Sequence, residues 1–142
     1  MGRLFDAVSS LADIVHISSF DGESCLKMES HVDRSNTRSF DFSMKDGIID
    51  LEQMVRKIVT MKNSSEVLAM FFNTLVEIII ELAQRYPGLP LVFSGGVFQN
   101  KILIEKIVQR CKETGRSAYF QNETAINDGG VSLGQAWFAL HN

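Results

Sequence analysis

Two glycine pairs follow segments that can bring the backbone close to a bound anion. The first pair, Gly95-Gly96, comes after the apolar run 91–93 and before a segment with helical periodicity. Glycine has no Cβ, so a ligand can approach the backbone closely. The N–H groups at a helix start, with the positive end of the helix dipole, then attract phosphate. The pattern predicts a phosphate-binding turn, although a tight structural turn has the same residues.

The second pair, Gly129-Gly130, follows Asn127-Asp128. The Asp128 carboxylate can cap the next helix, or it can bind Mg²⁺ or another metal beside a phosphate. Each glycine early in a helix costs about 1 kcal/mol relative to alanine. We therefore expect a ligand or another backbone to approach this pair. Asn100 is expected in the first turn of the helix after Gly96, where it bonds a ribose, a phosphate or the backbone, or is simply a surface residue.

Apolar periodicity places these residues on an α/β framework. It predicts helices over 4–15, 23–31, 51–59, 64–86, 97–115 and 131–140, a hairpin over 40–49, and strands over 89–93 and 117–120. Asp50 is expected to cap the helix over 51–59, with Gln53 placed as in a capping box. Helix and strand alternate in the second half as in a parallel layer, and the hairpin would make the sheet mixed.

Composition argues against nucleic acid and membrane as partners. The 142 residues carry a formal charge of −3, so the chain has no basic surface for nucleic acid. The most apolar stretch, 71–82, contains polar residues at helical spacing and is shorter than the ~20 residues that a bilayer requires. Cys25 and Cys111 lack CxxC spacing, which indicates reduced structural thiols in a cytoplasmic protein.

The three histidines, His16, His31 and His141, show no metal-ligand spacing, and we interpret them as non-ligands. The scattered residues predict no Ser-His-Asp or Cys-His arrangement, so no catalytic residue is assigned. Gly2 and Asp6 lie on the first predicted helix and could face the same cleft as the glycine pairs.

Four segments together resemble the HypF-type carbamoyltransferases, the maturation proteins of nickel–iron hydrogenases. Segments 2–7, 20–23, 94–100 and 127–136 occur here in that family's order and approximate spacing. The resemblance covers nearly the whole chain, and residues 35–65 are its least distinctive part. It implies that residues 1–142 are the C-terminal, second lobe of a Kae1-like domain. That domain has the actin/hexokinase/Hsp70 (ASKHA) architecture, so the chain would be a fragment of a larger protein with a small mixed sheet and packed helices.

The resemblance also implies a reaction. HypF-type enzymes make carbamoyl adenylate from carbamoyl phosphate and ATP, and they transfer the carbamoyl group to the C-terminal cysteine of HypE. A YrdC-like domain makes the adenylate, and the Kae1-like domain, with nucleotide between its two lobes, carries out the transfer. The implied partners are HypE and the remaining HypF domains.

Site residues are implied position by position. The resemblance places five residues at the nucleotide: Gly2, Asp6, Gly95, Gly96 and Asn100. Asp128 matches the aspartate that binds a divalent metal (Mg, Zn or Fe), and Glu23 matches a family acid without an assigned role. The family's two metal-binding histidines lie in an HxxxH motif that this chain lacks, and Phe72 stands where the family usually has histidine. We therefore expect a fragment that folds but is inactive alone.

Two alternatives stay open. A related Kae1/TsaD protein, which makes threonylcarbamoyl-adenosine on tRNA, shares the same framework, although the Phe98-Gln99-Asn100 sequence and the acidic charge favour HypF. A non-catalytic interaction module would have purely structural glycine turns. Its cleft face, left bare without the other lobe, would drive self-association.

Overall fold

A long apolar helix organises the first of two compact units, Met1–Pro87 and Gly88–Asn142. The computed structural model describes residues 1–141. The first unit contains, in chain order, α1 (Gly2–Leu11), α2 (Glu23–His31), β1 (Ser43–Lys45), β2 (Ile48–Asp50), α3 (Glu52–Thr60) and α4 (Ser64–Gln84). The second contains β3 (Leu91–Phe93), α5 (Lys101–Glu113), β4 (Ala118–Phe120) and α6 (Val131–His141).

Helix α4 is the centre of the first unit because it is apolar on almost every side. The Asn63 side chain caps it by accepting a hydrogen bond from the Glu66 N–H at 3.3 Å. Twelve of its 21 residues are buried. A helix that is apolar all round is stable in water only when other elements cover it.

An aromatic cluster joins α1 to α4. The Phe5 ring meets the Phe71 ring edge to face at 5.1 Å and the Phe72 ring at 5.7 Å. Phe72 is 0% exposed. Phe72, which the resemblance places where the family usually has histidine, therefore packs in the core of this unit.

Two polar residues of α4 hold the loop that precedes the hairpin. The Thr74 hydroxyl accepts a hydrogen bond from the Phe40 N–H at 2.8 Å and donates to the Met70 carbonyl at 2.7 Å. The Asn73 amide donates to the Arg38 carbonyl at 2.7 Å. These bonds satisfy backbone groups next to the core, which explains polar residues within an apolar helix.

The hairpin is confirmed, and its turn lies at Asp46-Gly47, where both residues have positive φ. The capping box at α3 was wrong. Helix α3 begins at Glu52, so Gln53 lies one position too early to reach back over a cap at Leu51. Asp50 still accepts a hydrogen bond from the Glu52 N–H at 2.8 Å.

The second unit is a parallel βαβ arrangement. Strand β3 pairs in parallel with β4, and α5 forms the crossover between them. This confirms the parallel layer predicted for the second half. The mixed sheet was wrong: within residues 1–141 the hairpin pairs only with itself, so there are two separate two-stranded sheets. In the same part of the chain, no helix is long and apolar enough to cross a membrane.

Phe72→Ala should lower the free energy of unfolding by about 3–5 kcal/mol, because it removes a buried ring and leaves a cavity. Chemical denaturation monitored by circular dichroism measures this. Phe20→Ala is the matched control, since Phe20 is 53% exposed and its loss should change stability little. Equal effects of the two substitutions would contradict the aromatic core.

Candidate functional site

The first glycine turn depends on an unusual backbone conformation at Gly95. Its φ of +106° and ψ of 156° belong to a region that essentially only glycine adopts. The Gly95 N–H donates to the Ile126 carbonyl at 2.8 Å. A 3-10 turn, Gly96–Gln99, follows directly.

The sequence suggested that the helix begins directly after the glycines, but α5 does not begin there. Because the 3-10 turn intervenes, α5 begins at Lys101, and Asn100 is its N-cap rather than a residue of its first turn. The Asn100 side-chain oxygen accepts a hydrogen bond from the Leu103 N–H at 2.9 Å, and the residue is 2% exposed. This oxygen is committed to the helix, and contact of Asn100 with a nucleotide stays a prediction.

Asn127, rather than Asp128, caps the second turn. The Asn127 side-chain oxygen accepts a hydrogen bond from the Gly129 N–H at 3.0 Å, and its carbonyl accepts one from the Gly130 N–H at 2.9 Å. Asp128 is exposed, and its carboxylate has no hydrogen-bond or ion-pair partner among residues 1–141. Asp128 is therefore available to bind a cation.

Another stretch of backbone approaches the second glycine pair. A Cβ at position 130 would lie 2.7 Å from the Ala125 carbonyl oxygen, and one at position 129 would lie 3.2 Å from the Ala125 Cβ. A distance under 3.0 Å to backbone cannot be relieved by a side-chain rotation. Close approach of backbone therefore accounts for Gly130.

The two turns lie side by side in the second unit. Besides the Gly95–Ile126 hydrogen bond, the Asn127 side-chain nitrogen donates to the Gln99 side-chain oxygen at 3.4 Å. A Cβ at Gly96 would lie 3.7 Å from the Asn127 Cβ. The structure thus brings Gly95 and Gly96 together with the loop that carries Asp128.

Gly2 and Asp6, four residues apart on α1 in the first unit, are both exposed. Apart from the adjacent residues and the backbone of α1, no atom of the described residues lies within 4 Å of the position that a Gly2 Cβ would occupy. Two residues at this spacing share one face of a helix. Their contact with a nucleoside stays a prediction.

Glu23 is the first residue of α2 and is 5% exposed. Its carboxylate pairs with the Lys27 ammonium at 2.6 Å and accepts hydrogen bonds from the Ser19 N–H at 2.6 Å and the Ser19 hydroxyl at 2.8 Å. These interactions lower the pKa of Glu23 from 4.5 to about 2, and the hydrogen bond from Lys27 has the largest effect. Glu23 therefore fixes the turn that precedes α2.

The metal that the resemblance implies would find one hard ligand here. The Asp128 carboxylate is the oxygen donor that such ions prefer. No group of three histidine, cysteine, aspartate or glutamate residues within 1–141 is placed to hold a metal ion. Asp128 therefore fits a metal site only if other ligands come from outside residues 1–141.

A Ser-His-Asp hydrogen-bond chain that the sequence did not predict lies at the C-terminal end of α1, with Ser10 in the last turn of the helix. The His16 ring bonds the Ser10 hydroxyl at 3.1 Å and the Asp13 carboxylate at 2.7 Å. It follows a helix C-terminus, where carbonyl groups rather than N–H donors are exposed. Such a place does not stabilise an oxyanion, so we assign the chain a structural role in ending α1.

Sequence reasoning missed Gln99 and did not single out Asn127. The preference of asparagine for helix N-caps is a signal that could have identified Asn127. Gln99 carries no such signal, because its partner is 28 residues away in the chain.

Comparison with known proteins identifies one group of relatives. Residues 1–135 match the model of the family described as "Carbamoyltransferase, Kae1-like Domain, second subdomain". The carbamoyltransferase HypF of Synechocystis is 28% identical over 142 residues, which are 95% of this chain and 18% of that protein. The probable carbamoyltransferase HypF of Methanocaldococcus jannaschii is 27% identical over 94% of this chain and 19% of its own length.

Solved structures give the same result. A full-length HypF in its phosphate- and nucleotide-bound form superposes with a TM-score of 0.85 at 31% identity, over 98% of this chain and 20% of that one. HypF of T. kodakarensis superposes with a TM-score of 0.76 at 21% identity, over 98% of this chain and 19% of that one, which shows the fold. The chain spans about a fifth of the length of the relatives it matches.

Gly130→Ala should lower the free energy of unfolding by about 1–3 kcal/mol, because the added methyl group meets the Ala125 carbonyl. Gly134→Ala is the matched control: position 134 lies in α6 with open space around it. There alanine should be neutral or stabilising by up to about 1 kcal/mol. Thermal unfolding checks both variants, and a tolerated alanine at position 130 would contradict the close backbone approach.

Glu23→Gln should destabilise the chain at neutral pH, and the difference from wild type should shrink as the pH falls. A folded pKa of about 2 against 4.5 means that the stabilisation is fully present above pH 4.5 and is lost as pH falls toward 2. Urea titrations from pH 7 to pH 2 measure this. Asp21→Asn, which removes an exposed carboxylate beside the same helix, is the control and should change stability little at neutral pH.

Proposed function

Since the chain belongs to the carbamoyltransferase family, as the second subdomain of its Kae1-like domain, we propose that it is the C-terminal lobe of a longer HypF-type enzyme. The observation that carries this proposal is the family match over residues 1–135, which includes every residue proposed for the site. The lobe would belong to an ASKHA architecture, in which nucleotide binds between two lobes, in a cytoplasmic enzyme.

The proposed reaction transfers a carbamoyl group to the C-terminal cysteine of HypE. The group comes from carbamoyl phosphate and passes through carbamoyl adenylate, which is made with ATP. The thiolate sulfur of HypE attacks the carbamoyl carbon, the bond from that carbon to the adenylate phosphate oxygen breaks, and AMP leaves. Support comes from relatives named carbamoyltransferases and from a related HypF that binds phosphate and nucleotide.

In this proposal the Gly96 turn holds phosphate oxygens. The N–H groups of Gly96 and Val97 are the first of the 3-10 turn, where no partner within the turn exists. Gly96 is exposed and carries no side chain that would shield them. Gly95 supplies the backbone conformation rather than a donor, because its own N–H bonds Ile126.

Asp128 would be one ligand of a divalent metal, with histidines from outside the chain completing the set. When bound, the metal would neutralise phosphate charge. The residues present orient the ligand: the Asn127 cap holds the turn that carries Asp128, next to the Gly96 turn. Gly2 and Asp6 would meet the nucleoside.

A non-catalytic interaction module is the second candidate, and α6 favours it. The large apolar residues of α6 are all more than half exposed: Val131, Leu133, Trp137, Phe138 and Leu140. Exposed apolar surface of this kind marks sites of association. The module alternative predicts that ATP and Mg²⁺ produce no heat of binding even with the longest in-frame product that contains the chain.

Gly96→Arg should abolish the heat of ATP and Mg²⁺ binding in a calorimetric titration. A long side chain at position 96 would fill the space in front of the turn, since within residues 1–141 the Asn127 Cβ and the Gln99 oxygen are the only atoms beyond the adjacent residues that lie within 4 Å of a Cβ there. The titration uses the longest in-frame product that contains the chain. It is repeated with residues 1–142 alone, which are expected to bind weakly or not at all.

Gln109→Arg is the matched control, because it adds the same charge on the exposed side of α5 in the same unit. It should bind ATP as the wild type does. Wild-type heat that survives Gly96→Arg would contradict the phosphate turn, while no heat from the wild-type in-frame product would favour the interaction module.

A further inference from the structure

We infer that Asn127 and Gln99 are positioning residues, which hold the Asp128 loop against the Gly96 turn. Its effect on metal binding rests on the proposed function, since Asp128 is a metal ligand only under that proposal. Neither residue needs to touch the nucleotide, because both act through the backbone that carries Asp128.

Asn127 makes three interactions that fix the loop. Its side-chain oxygen accepts from the Gly129 N–H at 3.0 Å, and its carbonyl accepts from the Gly130 N–H at 2.9 Å. Its side-chain nitrogen donates to the Gln99 oxygen at 3.4 Å. The side-chain amide of Asn127 thus bonds the second turn through its oxygen and the first turn through its nitrogen.

Other contacts also join the two turns. The Asn127 Cβ lies beside Gly96, since a Cβ at position 96 would be 3.7 Å from it, an ordinary van der Waals distance. The Ile126 carbonyl, one residue earlier, receives the Gly95 N–H at 2.8 Å. Because Gly95 stays bonded to Ile126, loss of the Gln99–Asn127 bond would affect mainly the loop that carries Asp128.

The consequence is a coupling between phosphate and metal binding. If the Gln99–Asn127 bond holds Asp128 in place, breaking the bond should weaken binding only when the metal is present. Groups that orient a metal ligand typically change metal affinity 10- to 100-fold when they are removed. Since the bond is exposed and long, we expect the lower end of that range.

Gln99→Met and Asn127→Ser test the bridge from its two sides. Gln99→Met removes the acceptor and leaves the Asn127 cap untouched. Asn127→Ser keeps a capping oxygen but has no nitrogen to donate. Gln99→Glu keeps an acceptor and should behave as the wild type in the absence of ligand. Gln109→Met, on exposed α5 surface, is the control for the substitution itself.

Hydrogen–deuterium exchange in the absence of ligand is the first measurement. A peptide covering residues 124–133 should exchange about fivefold faster in Gln99→Met and Asn127→Ser, as expected for loss of one hydrogen bond. The Gln99→Glu and Gln109→Met variants should match the wild type. Unchanged exchange in both bridge variants would overturn the inference, whether or not the chain binds nucleotide.

ATP titration of the longest in-frame product, with Mg²⁺ and with EDTA, is the second measurement. Gln99→Met should weaken binding about 10-fold with Mg²⁺ and leave it unchanged in EDTA. Equal weakening in both buffers, or none in either, would overturn the positioning role. A wild type that binds no ATP in either buffer would refute the proposed function instead, and the exchange result would then decide the loop contact by itself.

Discussion

The hydrogen bond from the Gly95 N–H to the Ile126 carbonyl is the interaction on which the candidate site depends. It joins two turns that are about 30 residues apart in the chain, and Gly95 has a φ of +106° at this point. A residue with a Cβ is strained in this conformation. Gly95 therefore has a structural role, and any N–H groups that bind phosphate belong to the residues after it.

The second turn follows the same principle. Gly130 is required because the Ala125 carbonyl oxygen lies only 2.7 Å from where a Cβ would be, and Asn127 caps the turn in place of Asp128. The two motifs are thus backbone-to-backbone contacts that leave one carboxylate, that of Asp128, exposed beside them. This arrangement explains how purely structural requirements can place the proposed metal ligand, Asp128, next to the proposed phosphate-binding turn.

The sequence predicted much of this fold because its strongest signals are local. Apolar periodicity identified α4 and α5, and the Asp-Gly turn identified the hairpin. Two errors concern where a helix begins, at α3 and at α5 after the 3-10 turn, because several neighbouring residues can serve as the cap. The separation of the two sheets depends on strand pairings that spacing does not reveal.

The site residues divide in the same way. Gly95 and Gly96 could be predicted as a turn because glycine has a distinct backbone preference, and Asp128 because it adjoins two further glycines. Asparagine is a preferred N-cap residue, but the helix was predicted to begin before Asn100, so its capping role was not recognised. Gln99 could not be predicted, since its importance comes only from a side chain in another loop.

We propose that this chain supplies one lobe of a carbamoyltransferase site whose histidines lie elsewhere in the same polypeptide. The decisive measurement is the sequence of the coding DNA and transcript upstream of the Met1 codon. We expect an open reading frame that continues into an HxxxH motif and a YrdC-like domain. An untranslated region immediately before that codon would refute the proposal.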